Sequence, residues 1–422
     1  KTLIGALIIA ILIRSFLKTL YFDCFMQNRR VVITGIGPFC SIGNTAESFW
    51  KNLVGGKSNY SSSDGQHNLL SRLGGFDHLA ELPEDVATHI KNNYSHASAG
   101  RSFGIGLACA SSAVLDARLT SAQLELASLY LGSGAGDLGI LSSLSKGFRS
   151  SALAQSNALP GIVARALGVK GPSAFVSTAC ATGIATCLEG FAAVKGSRDV
   201  SLVGAVEAPI GFGQYANSNE EFSSSLEGMF PFGNGRDGPV LGEGGAVLVF
   251  EELQHALERG ANIYCEVLDT SLVTEFAGVV NPIHLSQKGY ERALQSVFMG
   301  SGVNTRRVTY VNAHGSATLM NDSAESHAIR KLLGGDVAVS SFKGSTGHLQ
   351  AGSSALELAG CALALYHGKI PATNLRDRQV GEDCAELNYV RDSRVLSGVV
   401  VKLAAGFNGA YGAVMLTKYS SR

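Results

Sequence analysis

Four side chains stand in the same kind of local sequence: Cys180, His314, Lys343 and His348. Each follows an apolar run and sits among glycine, alanine, serine or threonine. In Phe175-Val-Ser-Thr-Ala-Cys-Ala-Thr-Gly-Ile-Ala-Thr-Cys-Leu-Glu189, the run Ala174–Val176 reads as the end of a buried strand. A helix is expected from about Ala181 to Lys195, so Cys180 falls at its N-terminus. The first N–H groups of a helix are unpaired and partly positive, which stabilises a thiolate and lowers the pKa of a thiol placed there. Ala179, Ala181 and Gly183 leave room for a substrate to reach the sulfur. This is the pattern of a nucleophile on a strand–turn–helix. The competing reading is a buried structural cysteine, which is how Cys187 on the same helix reads.

Tyr310-Val-Asn-Ala-His-Gly-Ser-Ala-Thr318 places His314 directly after a strand, with Gly315 turning the chain. Phe342-Lys-Gly-Ser-Thr-Gly-His-Leu-Gln-Ala-Gly352 places His348 at the start of a buried helix, again after a strand. Turns at the carboxyl ends of strands are where open α/β sheets bind ligands. Lys343, at a strand end among small residues, is placed to orient a histidine or support a developing negative charge. One cysteine and two histidines also leave a zinc site open, though no fourth ligand or short ligand spacing accompanies them.

The elements that must hold these residues alternate between strand and helix. Strands are expected at Val31–Gly37, Ser128–Gly134, Asp199–Gly204, Gly242–Glu251, Ala261–Val267, Arg307–Asn312, Val337–Ser341, Leu396–Leu403 and Ala413–Lys418. Helices are expected at Thr45–Val54, Ser102–Leu115, Gly161–Leu167, Lys288–Met299, Asp322–Leu333 and Ala351–Tyr366. Such alternation implies mainly parallel pairing through helical crossovers. The helices at Ala181–Lys195 and Ala351–Tyr366 are apolar almost all round and belong between sheets, in an α/β/α/β/α layering.

Composition narrows the function. The 422 residues are 45% hydrophobic and 16% charged, enough for a large core, and the net charge is zero with no long basic run. Nucleic acid is therefore excluded as a partner. Eight cysteines without a CxxC read as free thiols. Gly134-Ala-Gly-Asp-Leu-Gly139 matches GxGxxG, but Asp137 inside the loop would repel a pyrophosphate, and no acidic residue follows at the spacing of a ribose contact. Residues 1–28 include the apolar run Leu3–Ile13, too short for a confident span, and are set apart as a targeting segment, an anchor or an over-extended frame.

Taken together, these blocks resemble the β-ketoacyl-acyl-carrier-protein synthase family, of thiolase-like fold, in its elongating Cys-His-His type. Ser177-Thr-Ala-Cys-Ala-Thr-Gly183 is similar to the nucleophile block, Asn312-Ala-His-Gly-Ser-Ala-Thr-Leu-Met-Asn-Asp322 to the first histidine block, and Lys343-Gly-Ser-Thr-Gly-His348 to the block of the lysine and second histidine. Gly406-Phe-Asn-Gly409 resembles the gate loop, and Arg236–Gly245 and Val203–Ala208 match further landmarks. The resemblance covers about Arg30 to Thr417. It implies a five-layered αβαβα fold of two similar halves, 29–252 with the nucleophile and 253–420 with the histidines. It implies an acyltransferase in which Cys180 takes the acyl group, and Cys180 and Phe407 N–H groups form an oxyanion hole. His314 and His348 bind the malonyl thioester, Lys343 positions them, and Ser316, Thr318 and Gly406 lie along the substrate. Acyl and malonyl carrier proteins are the implied partners, with no metal or other cofactor, in a homodimer whose first halves pair across a sheet.

Some positions depart from the family pattern. Asn408 replaces a usual Gly, Ala410-Tyr411 a usual Thr-Asn, Phe230 a usual Arg, and Gly233 a usual Asp; Ser316-Ala317 and Leu319 replace Thr-Ser and Pro. None removes a catalytic group. A thiolase would carry a second cysteine near Gly406, a chain-starting enzyme an Asn at His348, and a cysteine hydrolase one His with an orienting Asn or Asp. A polyketide ketosynthase shares the same catalytic residues. A silent partner subunit would lack Cys180. The basic extension points to an organelle, a mitochondrion before a plastid.

Overall fold

Runs such as Val31-Val-Ile33 and Val247-Leu-Val-Phe250 have no polar alternation, as strands covered on both faces require. The computed structural model places them side by side at the centre of an eleven-stranded sheet. It describes residues 29–63, 66–71, 101–134, 157–209, 225, 227–276 and 285–420. Residues 1–28, with their targeting reading, lie outside the described residues, as do most of the Gly134–Gly139 motif and of the polar stretch after Ser58.

The sheet strands are β1 (Val31–Phe39), β2 (Ser128–Gly132), β3 (Ser173–Val176), β4 (Val200–Glu207), β5 (Gly244–Glu252), β6 (Cys265–Thr274), β7 (Val308–Asn312), β8 (Ala338–Ser340), β9 (Asn388–Tyr389), β10 (Val399–Gly406) and β11 (Ala410–Thr417). The helices are α1 (Ala46–Val54), α2 (Arg101–Ala117), α3 (Ser121–Leu126), α4 (Ala158–Leu167), α5 (Thr182–Gly196), α6 (Leu253–Glu258), α7 (Gln287–Ser301), α8 (Leu319–Leu333), α9 (Lys343–Thr346) and α10 (Ala351–His367). Across the sheet the order is β9-β8-β7-β10-β11-β6-β1-β5-β4-β2-β3.

That order contains a repeat. Outward from the centre run β1-β5-β4-β2-β3 on one side and β6-β11-β10-β7-β8 on the other, with the same sequence of pairings. In each repeat the inner pairs are antiparallel and the outer pairs parallel. The expectation of mainly parallel pairing is therefore corrected: half of the neighbouring pairs are antiparallel. The reason is local. β10 returns as β11 through a short hairpin, and β4 returns as β5, in each case without a crossover helix among the described residues.

Between the two wings of the sheet lie α5 and α10, each packed on strands of both repeats. Every residue of α10 from Ala351 to Leu365 is buried, as its all-round apolar sequence requires. The helices touch near their N-termini, where a Cβ on Gly183 would lie 2.3 Å from the Ala355 nitrogen. Outside, α2 and α4 cover β1, β5 and β2, while α7 covers β6 and β11 and packs on α8. The result is the five-layered αβαβα arrangement of a thiolase-like fold. Thr45, Ser286 and Thr318 cap α1, α7 and α8, each worth about 1 kcal/mol. One strand differs from expectation in its surroundings: β3 is the outer strand of the sheet, with Ser173 and Ala174 exposed rather than buried. The seven described cysteines are free thiols, and Cys187 belongs to the central core.

Candidate active site

β3 stops at Val176, and the chain then folds tightly back. Thr182 Oγ1 accepts from the Thr178 N–H at 2.9 Å and donates to the Ala179 carbonyl at 2.6 Å. These bonds hold Ala179 at φ 50°, a left-handed conformation that costs a residue with a Cβ about 1–2 kcal/mol. Cys180 comes next, and Ala181 is the N-cap of α5. The thiol thus sits one residue outside the helix, on a strained turn.

Burial pushes the Cys180 thiol up to about 12; the Lys343 charge works against this, and Glu207 and Glu357 add to it. This runs against the lowered pKa expected from sequence, because Cys180 is buried and desolvation outweighs the helix end. The resting group is the thiol. Glu207, at the end of β4, accepts from the Ser133 hydroxyl at 2.8 Å and the Gly134 N–H at 2.7 Å. A buried carboxylate at the start of the Gly134–Gly139 motif removes the remaining case for a phosphate there.

The gate segment lies against the same turn. A Cβ on Gly406 would be 2.5 Å from the Thr178 carbonyl oxygen, so only glycine lets the β10–β11 hairpin come this close. Phe407 follows and lines a cavity of about 270 Å³ with Leu285, Thr318, Leu319, Met320 and Asn321. Of the expected substrate residues, Thr318 is a wall of this cavity, and Ser316 reaches it by a hydroxyl–hydroxyl bond of 3.0 Å. Gly406 is the contact between gate and turn.

His314 is fixed by its backbone. The His314 and Gly315 N–H groups donate to the two Glu325 carboxylate oxygens at 2.6 and 2.8 Å. Gly315 adopts φ 49° where a Cβ would meet Ser341 Oγ at 2.7 Å. Burial raises Glu325 to about 7 against these bonds. His348 is fixed likewise: its N–H donates to the Val240 carbonyl at 2.7 Å, and its carbonyl accepts from Gly242 at 2.9 Å. Its Nδ1 lies 3.0 Å from Ser353 Oγ, which also accepts from the Leu349 N–H at 2.8 Å. The two imidazoles stand nearly perpendicular, with centroids 5.5 Å apart.

Lys343 ties the group together. Its ammonium donates to the His314 carbonyl at 2.6 Å and to Glu357 Oε1 at 2.5 Å, and it lies 3.4 Å from His314 Nδ1. Burial, followed by the Lys343 charge, holds both imidazoles well below the usual histidine range; His348 and Lys402 add to this at His314, and Lys402 at His348. Both are neutral. Lysine can only donate, so its approach to Nδ1 leaves the His314 proton on Nε2. Among the described residues no group of three or more His, Cys, Asp or Glu is arranged to hold a metal ion, so Cys180, His314 and His348 are not a zinc set.

Glu325, Glu357 and Lys402 were not singled out in the sequence. The signal is present for two of them: Glu357 is the one acid in a mostly apolar α10, and Lys402 the one charge in β10. A lone charge in an element buried on every side requires a buried partner. What the site offers is a shielded thiol, two neutral imidazoles with anchored Nδ1 atoms, and a cation behind one of them. That set can take an acyl group and stabilise a negative charge growing beside it.

Comparison with known proteins agrees with this chemistry. Residues 28–256 match the beta-ketoacyl synthase N-terminal domain, and residues 264–375 the C-terminal domain. The 3-oxoacyl-[acyl-carrier-protein] synthase 2 of Synechocystis sp. is 30% identical over 93% of this chain and 99% of its own length. The putative polyketide beta-ketoacyl synthase 1 of Streptomyces halstedii is 30% identical over 93% of this chain and 98% of its own. The solved ishigamide ketosynthase/chain length factor has a TM-score of 0.82 at 27% identity, covering 93% of this chain and all of that one. With both domains matched, and with a buried thiol and paired neutral histidines on a five-layered fold, this chain belongs to the β-ketoacyl synthase family.

Proposed function

We propose that the protein is a 3-oxoacyl-[acyl-carrier-protein] synthase that elongates fatty acyl chains by decarboxylative condensation. The observation that carries this reading is the pair of neutral imidazoles, perpendicular and 5.5 Å apart, with Nδ1 atoms held by Lys343 and Ser353. We assign the Ser353 hydrogen to His348 Nδ1, which leaves Nε2–H on both rings. Two such donors suit one thioester carbonyl whose oxygen becomes an enolate.

The Cys180 thiol gives its proton to the departing carrier sulfur as its own sulfur bonds the acyl carbon; the thioester C–S bond breaks and the carrier leaves as a thiol. The N–H groups of Cys180 and Phe407 hold the transient oxyanion. A malonyl thioester then binds under His314 and His348, and its carboxylate leaves as CO2. The electron pair of the broken C–C bond forms the enolate, whose carbon attacks the acyl-Cys180 carbonyl. Cys180 leaves as thiolate and takes up one proton from solvent as the product departs, replacing the proton that left with the first carrier. Such a site must be closed to water while the carbanion exists, and Cys180, His314 and His348 are all buried. No metal or redox cofactor enters these steps.

The acyl carrier protein is the partner named for the Synechocystis relative, and we extend it to this chain. The Streptomyces relative, equally identical, supports a second reading in which the same steps build a polyketide. A silent partner subunit would need no nucleophile, and Cys180 is present on a strained turn against which Gly406 packs. We also propose a homodimer that pairs the outer strand β3 with its copy, since that strand leaves an exposed edge.

Incubation with a medium-chain acyl-carrier thioester followed by intact mass measurement tests the first half of the reaction. Wild type is expected to gain one acyl group and Cys180→Ala none. Equal labelling of both would remove Cys180 from the role.

A further inference from the structure

β10 reads Val399-Val-Val-Lys-Leu-Ala-Ala-Gly406, and Lys402 is its one charge, fully buried. The Lys402 ammonium lies 2.7 Å from Glu357 Oε2 and donates to the Leu403 carbonyl. The other oxygen, Oε1, takes the Lys343 ammonium at 2.5 Å. One carboxylate on α10 therefore carries two ammonium groups, one from α9 and one from the strand that leads into the gate. All three side chains are at most 1% exposed. Apolar residues of similar volume would serve stability as well as buried ions do, so stability alone does not account for the second lysine.

The geometry gives Lys402 a different task. The Lys402 ammonium faces Oε2 as a close ion pair rather than a hydrogen bond, and this attraction favours the carboxylate orientation that keeps Oε1 on Lys343, whose other contacts are the His314 carbonyl and Nδ1. We propose that Lys402 is a positioning residue for the condensation step: it clamps Glu357 and through it Lys343 and His314, and its charge favours the enolate beside two neutral histidines. This rests on the ketosynthase reading above. The groups around His314 are Lys343, His348, Lys402 and, at its backbone, Glu325; those around His348 are His314, Lys343 and Lys402. Lys402 is one of the charges that keep both imidazoles low, after burial and Lys343.

The test compares the full-length wild type with Lys402→Met, Lys402→Gln and Lys402→Arg. Two rates are followed against pH, Cys180 acylation by intact mass and CO2 release from the malonyl-carrier thioester, with Tm as the check on folding. In the two neutral variants CO2 release is expected to fall about ten-fold further than acylation, less than the roughly 100- to 1,000-fold cost of a direct transition-state donor because Lys402 acts through Glu357 and Lys343. The acid limb of CO2 release should move to higher pH, because losing a nearby positive charge raises an imidazole pKa. Lys402→Arg should restore both towards wild type. Folded neutral variants with an unmoved acid limb and equal losses in the two rates overturn the proposal. Neutral variants that fail to fold beside an active Lys402→Arg assign the residue to stability and overturn it too. A wild type that neither acylates nor releases CO2 overturns the ketosynthase reading itself.

Discussion

Cys180 rests as a thiol because burial desolvates it, not because it lacks a cation nearby. Its reactivity is therefore coupled to substrate, which brings a leaving sulfur to receive the proton. With the thiol at about 12, iodoacetamide alkylation of Cys180 should rise steadily with pH from about 7 to 10, as the thiolate fraction does. A plateau near pH 8 would contradict this. Replacing Glu357 by Leu should leave Lys343 and Lys402 buried without their shared acid, at a cost of about 3–5 kcal/mol read as a fall in Tm. A Tm within experimental error of wild type would contradict that cost. Cys180, His314, Lys343 and His348 are legible in sequence because each stands in a small-residue segment after an apolar run. Glu325, Glu357 and Lys402 are not, because their importance is set by partners that only the fold brings near. The Cys180 pKa departs from the sequence expectation for a related reason: a terminus can be inferred from sequence, but the depth of burial cannot.

At the scale of elements, the site is made by close approach of backbones. The β10–β11 hairpin reaches the Cys180 turn through Gly406, and α5 reaches α10 through Gly183. Gly406→Ala places a Cβ against the Thr178 carbonyl and should displace Phe407, lowering acylation by about two orders of magnitude with the rest of the fold intact. An Ala variant with wild-type acylation would show the contact to be dispensable. Gly183→Ala meets the Ala355 backbone and should cost about 1–3 kcal/mol by overpacking, measured by denaturant unfolding. An unchanged midpoint would show that the two helices can part without loss. Helix and strand existence was legible from apolar periodicity, and the burial of α5 and α10 from their lack of a polar face. Strand direction was not, since alternation of strands and helices cannot show that β5 and β11 return antiparallel.

At the scale of the molecule, the repeated strand order places equivalent turns at equivalent positions. Cys180 follows β3, the third strand of one repeat, and Lys343 and His348 follow β8, the third strand of the other. The nucleophile and the histidines come from different repeats and meet where α5 and α10 touch. The exposed edge of β3 predicts a particle of twice the 44.0 kDa chain mass by light scattering, and a monomer at micromolar concentration would contradict the dimer. In this mechanism the acyl group on Cys180 is extended through a new carbon–carbon bond. The most direct measurement adds malonyl-carrier thioester to protein already acylated on Cys180 and follows the acyl group by mass together with CO2. The predicted result is loss of the acyl mass from the protein, one CO2 released per acyl group, and a 3-oxoacyl carrier thioester two carbons longer. Release of the free acid without a longer product, or an acyl group that stays on Cys180, would contradict it.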